Sequence, residues 1–206
     1  MQMSSSSPKY MRAIWFSLFV SFLFAIIEQN WNAVLVSVLT LLSVSYIVRL
    51  NRRAVFKMPG SVIVWAVFFI YASLFLGEAY SFYNKFWWWD VLLHASSAIG
   101  FGLIGMILLI ALSRSKKIYA TPIVVSFFAF TFAVSIGAIW EIFEFFMDQT
   151  FGFNMQKSGL RDTMTDLIVN SIGALISCSA GFIYLKFGKT DRFINYIEEA
   201  VESVFE

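Results

Sequence analysis

Six long apolar stretches, 10–28, 31–49, 61–82, 90–113, 121–147 and 163–186, dominate this 206-residue chain, and the few charges they carry sit toward their ends. Each is close to the ~20 residues that carry a helix across a bilayer's hydrocarbon core. Lipid offers the backbone no hydrogen bonds, so a spanning segment of this kind must satisfy its own N–H and C=O groups as a helix. Composition points the same way. Charged residues make up 14% of the chain and hydrophobic ones 59%, whereas a soluble domain carries about a quarter charged residues. The expected fold is all-α: a polytopic integral membrane bundle of six transmembrane helices spanning 10–188. A polar, disordered tail (1–9) is expected before it and a short amphipathic helix (189–206) after it. The first stretch lacks a small-x-small cleavage site and is expected to be retained as a helix.

The basic residues orient the bundle. With the N-terminus inside, Lys9, Arg12, Arg49, Arg52, Arg53, Lys57, Arg114, Lys116, Lys117, Lys186, Lys189 and Arg192 are cytoplasmic, twelve of the fifteen bases. Lys85, Lys157 and Arg161 fall on the other side. That bias predicts both termini in the cytoplasm. The acids run oppositely: Glu28, Glu78, Asp90, Glu141, Glu144, Asp148, Asp162 and Asp166 lie outside or just beneath the outer interface. Trp87, Trp88 and Trp89 suit an interfacial belt. Beyond the last span, Phe193, Ile197, Val201, Val204 and Phe205 recur at helical spacing opposite Glu198, Glu199, Glu202 and Glu206. An acidic face is repelled by anionic lipid, so this helix is expected to dock on the bundle, on a protein partner or on a second copy.

The outer acids form stripes. Asp90 and His94 share one helix face, Glu141, Glu144 and Asp148 another, and Asp162, Asp166 and Asn170 a third. If the three stripes face each other, they line one polar cavity entered from outside. Ionisable groups in a membrane are expensive and default to a functional reading; the bland alternative is a hydrogen-bonded plug that fixes helix register. Adjacent carboxylates must be protonated, bound to a cation or matched by Arg161, Lys157 or His94. Oxygen-rich sites with one imidazole suit Mg, Mn, Ca or non-haem iron, with Asp90, Glu141, Asp162 and Asp166 as candidate ligands. Candidate acid/base groups are His94, Glu141 and Asp166, with Asp90, Glu144, Asn170 and Arg161 lining the cavity. Asp162 before Thr163 also suits a helix N-cap. The segment 150–162, with Gly152 and Gly159 among Phe151, Phe153, Met155 and Leu160, has the make-up of a lid or re-entrant loop.

Other chemistries are excluded or unsupported. The lone histidine rules out a His-rich zinc site within one chain, and the lone Cys178 cannot form an internal disulfide. A net charge of +2 gives no sign of a nucleic-acid partner; membrane lipids are the expected one. Gly100-Phe-Gly102-Leu-Ile-Gly105 matches the dinucleotide fingerprint but lies mid-span with no preceding strand. With Ala95 and Ala98 it is better read as a small-residue packing face, as are Gly173, Ser177 and Gly181. Neither a nucleotide nor haem is expected.

Trp88-Trp-Asp90-Val-Leu-Leu-His94, Trp140-Glu-Ile-Phe-Glu144, Asn154-Met-Gln156 and Asp162-Thr-Met-Thr-Asp166-Leu-Ile-Val-Asn170, in that order over about residues 78–182, resemble the YjdF-like family of uncharacterised prokaryotic inner-membrane proteins. The resemblance implies a multi-pass protein of a prokaryotic cytoplasmic membrane and adds Asn154 and Gln156 to the cavity. More distantly, Asp90, His94, Glu141, Arg161, Asp166, Asn170 and Gly173 are similar to the pattern of the VanZ-like group, although Val91 stands where that pattern often has Lys. Neither family implies a settled reaction. Three functions follow for testing: an enzyme or binder acting on a lipid-linked or headgroup substrate in the outer leaflet, a small proton- or ion-coupled carrier, and a non-catalytic scaffold.

Overall fold

The computed structural model describes residues 9–53, 60–114 and 120–187, and all regular structure among them is helical. The elements are α1 (Lys9–Ile27), α2 (Trp31–Arg53), α3 (Gly60–Ile70) continuing as π-helical turns over Tyr71–Ala79, α4 (Phe82–Lys85), α5 (Trp89–Arg114), α6 (Pro122–Phe151) and α7 (Leu160–Phe187). Five helical segments among the described residues are long and apolar enough to cross a membrane: Trp31–Asn51, Val62–Ala79, Trp89–Ser113, Pro122–Phe151 and Leu160–Phe187. The first expected span corresponds to a shorter apolar helix, Arg12–Ile27. The expected C-terminal amphipathic helix and residues 1–8 of the polar tail lie outside the described residues.

The chain divides into two compact units, Met1–Trp89 and Asp90–Glu206. In the first, Gln29 adopts a positive φ of 57°, the reversal that turns α1 into α2. Asn30 then caps α2, its Oδ1 accepting the Ala33 N–H at 3.1 Å, as capping side chains do. Val44 of α2 and Val67 of α3 are fully buried against Ile14, Trp15, Val48, Ile63 and Ile70. The third span is not one α-helix. Tyr71, which opens the π-helical turns, and Tyr80, which ends them, bring their hydroxyls to Ser17 and Ser21 of α1, each at 3.1 Å, which ties the two helices in a setting where polar contacts are few. π-Helical turns widen a helix locally and often accompany function.

The second unit is built from α5, α6 and α7, and its packing depends on small residues. Ala98, Ala133 and Ala174, one from each helix, form one buried cluster. Met106, Leu109, Val125, Ala129 and Cys178 form another, so Cys178 is a buried packing residue. A Cβ placed on Gly173 would lie 2.8 Å from the Ala95 carbonyl oxygen, and one on Gly105 would lie 3.0 Å from the Ala129 Cα. Close backbone approach of this kind is how membrane helices associate when lipid removes the hydrophobic drive. The opposite faces carry exposed Phe127, Ile139, Ile142, Phe145, Ile168 and Ile176, apolar side chains suited to hydrocarbon.

Two boundaries shift from expectation. α6 continues to Phe151, where Gly152 closes it with a left-handed φ of 70°, so Asp148 is helical and the connection to α7 is short. α7 starts at Leu160. Asp162 is therefore inside its first turn, where its charge complements the helix dipole, rather than capping a helix that starts at Thr163.

Candidate functional site

α5 enters and α6 leaves at one end of the second unit, and α7 begins there. His94 lies one turn into α5 and is 7% exposed. Its Nε2 lies 3.7 Å from Asp90 Oδ1, 3.8 Å from Glu141 Oε1 and 3.9 Å from Asp166 Oδ2. One imidazole nitrogen thus faces three carboxylates, one from each helix. The three stripes read from the sequence do converge, at least through Asp90/His94, Glu141 and Asp166/Asn170.

The other ring nitrogen is held by Asn170, whose Nδ2 donates to His94 Nδ1 at 3.3 Å. That donation leaves the proton on Nε2, where it can serve one carboxylate of the three. Asn170 fits because position 137 is glycine: a Cβ there would press into the Asn170 amide. Glu141 is 4% exposed, and neither of its oxygens has a hydrogen bond of ordinary geometry among the described residues. The Thr163 hydroxyl approaches it from α7 without closing such a bond. Asp162 Oδ2 and Asn170 Oδ1 are likewise buried without a donor.

The loop 152–159 is tethered to this end of the unit. Asp148 accepts the backbone N–H groups of Met155 at 2.7 Å and Gln156 at 2.9 Å. The Gln156 amide donates to Thr163 Oγ1 at 2.6 Å. So held, the loop delivers Lys157, whose Nζ lies 3.6 Å from Asp90 Oδ2.

Not every residue expected at the site joins the core of it. Glu144 is buried but turns to the Trp140 indole, which donates to it at 2.9 Å. Arg161 and Asn154 are exposed, and Gln156 works through the loop rather than at the histidine. Asp148 proves to be the loop's clamp. Lys157 is a contributor that helix periodicity could not place, because a loop residue has no face; the sequence offered it only as one of three cations, with Arg161 and His94, able to match the acids. A metal could be held by Asp90, His94 and Asp166, whose ligating atoms all lie within 4.8 Å of one another. That grouping includes the histidine, which the all-carboxylate ligand set omitted.

Residues 10–187 match the model of the family described as Predicted membrane protein (DUF2238). The chain belongs to this family. It is 33% identical over 119 residues to an uncharacterized protein of Thermotoga maritima, an alignment covering 57% of this chain and 58% of that protein. The chain thus matches rather more than half of that relative's length. No solved structure matches it. Membership agrees with the apolar helices: this is a membrane protein of unestablished activity.

The clamp generates an expectation of its own. Removing the Asp148 carboxylate abolishes two charge-assisted hydrogen bonds, which are worth about 1.5–3 kcal/mol each. Asp148→Ala is expected to accelerate amide exchange across 153–158 by about ten-fold or more while leaving α5 and the middle of α7 unchanged, as read by hydrogen-exchange mass spectrometry. Unchanged exchange in the loop would remove the clamp from the account.

Proposed function

We propose that this protein binds or modifies a lipid-linked or headgroup substrate at a polar cavity in the outer leaflet, around His94, Asp90, Glu141 and Asp166. The observation that carries the reading is Glu141: a buried carboxylate beside an imidazole, neither of its oxygens holding a hydrogen bond of ordinary geometry among the described residues. A structural plug is expected to satisfy its polar groups internally, because an unpaired buried donor or acceptor is destabilising by about 1–3 kcal/mol. A substrate or ion that completes those bonds gives the residue a reason to be there. In this reading His94 and Asp166 exchange protons with the substrate or orient it, and Lys157 and the tethered loop border the entrance.

The topology proposed with it has six crossings, α1 included, and both termini in the cytoplasm of a prokaryotic cell. The positive-inside bias supports it. In a Cys178→Ser background, a membrane-impermeant maleimide should label Ser158→Cys in intact cells but label Ser115→Cys only after lysis. The reverse pattern would invert the site's orientation.

The reading itself is tested by lipid retention. Purified in nanodiscs of mixed phospholipids and analysed by native mass spectrometry, the wild-type chain is expected to keep a defined lipid. Asp166→Asn and His94→Ala should each reduce its occupancy about ten-fold, the loss of one or two hydrogen bonds to a charged group. Equal retention by all three proteins, together with unchanged cellular lipid profiles, would leave the cavity without a substrate.

A further inference from the structure

The reading above leaves a difficulty of charge. Asp90, Glu141 and Asp166 surround one imidazole, and Lys157 is the cation paired with them. Glu144 turns away to an indole donor, and Asp162, in the first turn of α7, has one buried oxygen without a donor among the described residues. With all three ionised, the carboxylates about His94 would be two positive charges short of neutrality, which protonation or a bound cation must relieve in surroundings where uncompensated charge is strongly unfavourable. An anionic headgroup placed against them would worsen the deficit. A single dication would remove it.

The geometry suits such an ion. Four donor atoms, His94 Nε2, Asp90 Oδ1, Glu141 Oε1 and Asp166 Oδ2, come from three helices, with the nitrogen 3.7–3.9 Å from each oxygen. Donors about 2.0–2.2 Å from a shared metal lie about 3.0–3.6 Å apart. The ligating atoms of Asp90, His94 and Asp166 lie within 4.8 Å of one another, so these three close on one ion by contraction. Glu141, 3.8 Å from the imidazole but outside that group, must swing in to join them. Within the cluster, Glu141 is 4% exposed and neither of its oxygens has a hydrogen bond of ordinary geometry among the described residues, with Oε1 3.8 Å from His94 Nε2. An imidazole among the ligands favours first-row transition ions over Mg or Ca, which prefer oxygen alone.

We propose that this cluster binds one first-row transition-metal dication of the Mn²⁺ or Fe²⁺ kind. His94 Nε2 and the carboxylates of Asp90, Glu141 and Asp166 are its ligands, and Lys157 is a fixed counter-charge on the second oxygen of Asp90. The inference rests on reading the cluster as a binding site rather than a plug, and it names what that site takes first. Binding requires the Nε2 lone pair, so the ring proton moves to Nδ1. Asn170 accommodates this by turning its amide over, presenting to Nδ1–H the Oδ1 that otherwise lacks a donor. A metal-bound histidine held by an acceptor on its far nitrogen is the usual arrangement. The small-residue contact at Gly137 leaves the amide room to do so.

The test uses the full-length chain in detergent micelles, stripped with a chelator and titrated with Mn²⁺ alone, free Mn²⁺ being read by electron paramagnetic resonance. Saturation at one ion per chain is expected. Glu141→Gln, which keeps the shape and removes the charge, should weaken binding by about ten-fold or more, as should His94→Gln. Lys157→Met should tighten it several-fold, because the local deficit deepens. A roughly hundred-fold excess of Mg²⁺ should not displace the ion. Absence of saturable uptake, or uptake indifferent to Glu141→Gln, overturns the proposal; displacement by Mg²⁺ overturns the assignment to transition metals. Lipid retention that depends on Asp166 without Mn²⁺ uptake would sink the metal and leave the headgroup reading standing. Uptake of Mn²⁺ without lipid retention would do the opposite.

Discussion

Placing His94 among three carboxylates inside a helical bundle is the constraint on which the second unit turns. Each of these groups is expensive away from water, and only their mutual proximity makes the placement tolerable. That proximity requires α5, α6 and α7 to approach closely at one end, which the small residues permit: Gly173 lets α7 meet the α5 backbone beside Ala95, next to His94, and Gly137 leaves the space that Asn170 occupies. The alanine cluster further along continues the same close packing. Glycine there is a condition of the site, since a side chain at 173 or 137 would push apart the atoms that must meet.

The loop belongs to the same arrangement. Its backbone is bound by Asp148 at the end of α6 and its Gln156 by Thr163 at the start of α7. One base is thereby held against Asp90. Without that tether a lysine on an eight-residue connection would sample open water, where a surface ion pair contributes little. Tethered, it offsets the charge of Asp90, the carboxylate it faces at 3.6 Å.

Much of this was legible in the sequence, and the reason is physical. Charges are so costly in an apolar helix that their positions along it are informative. Helical periodicity then assigns Asp90 with His94, and Asp166 with Asn170, to common faces. The helix boundaries were less legible. Asp148 and Asp162 sit at ends where several starts are compatible with the same residues, and backbone geometry at Gly152 and Gly159, rather than side-chain pattern, decides them. The π-helical turns over Tyr71–Ala79 were not legible, because an apolar run reads the same whether its turns are α or π. Nor could spacing separate Glu144 from Glu141: both lie on one stripe, yet Trp140, four residues before Glu144, draws it to an indole while Glu141 is left facing the histidine. Lys157 could be named as a counter-charge but not chosen over Arg161, because loop residues have no register.

The central claim is that the carboxylates serve a ligand at some expense to the fold. A group kept for function commonly destabilises the structure that holds it, and neutralising it should then stabilise the apo protein. The most direct measurement is the thermal midpoint of chelator-treated Glu141→Gln beside wild type in the same micelles. For a chain of this size each kcal/mol moves the midpoint by about 2–4 °C, and the account predicts a rise of at least that much. A fall of similar size would mean that the Glu141 charge helps hold the helices together, and that the cluster is a structural plug.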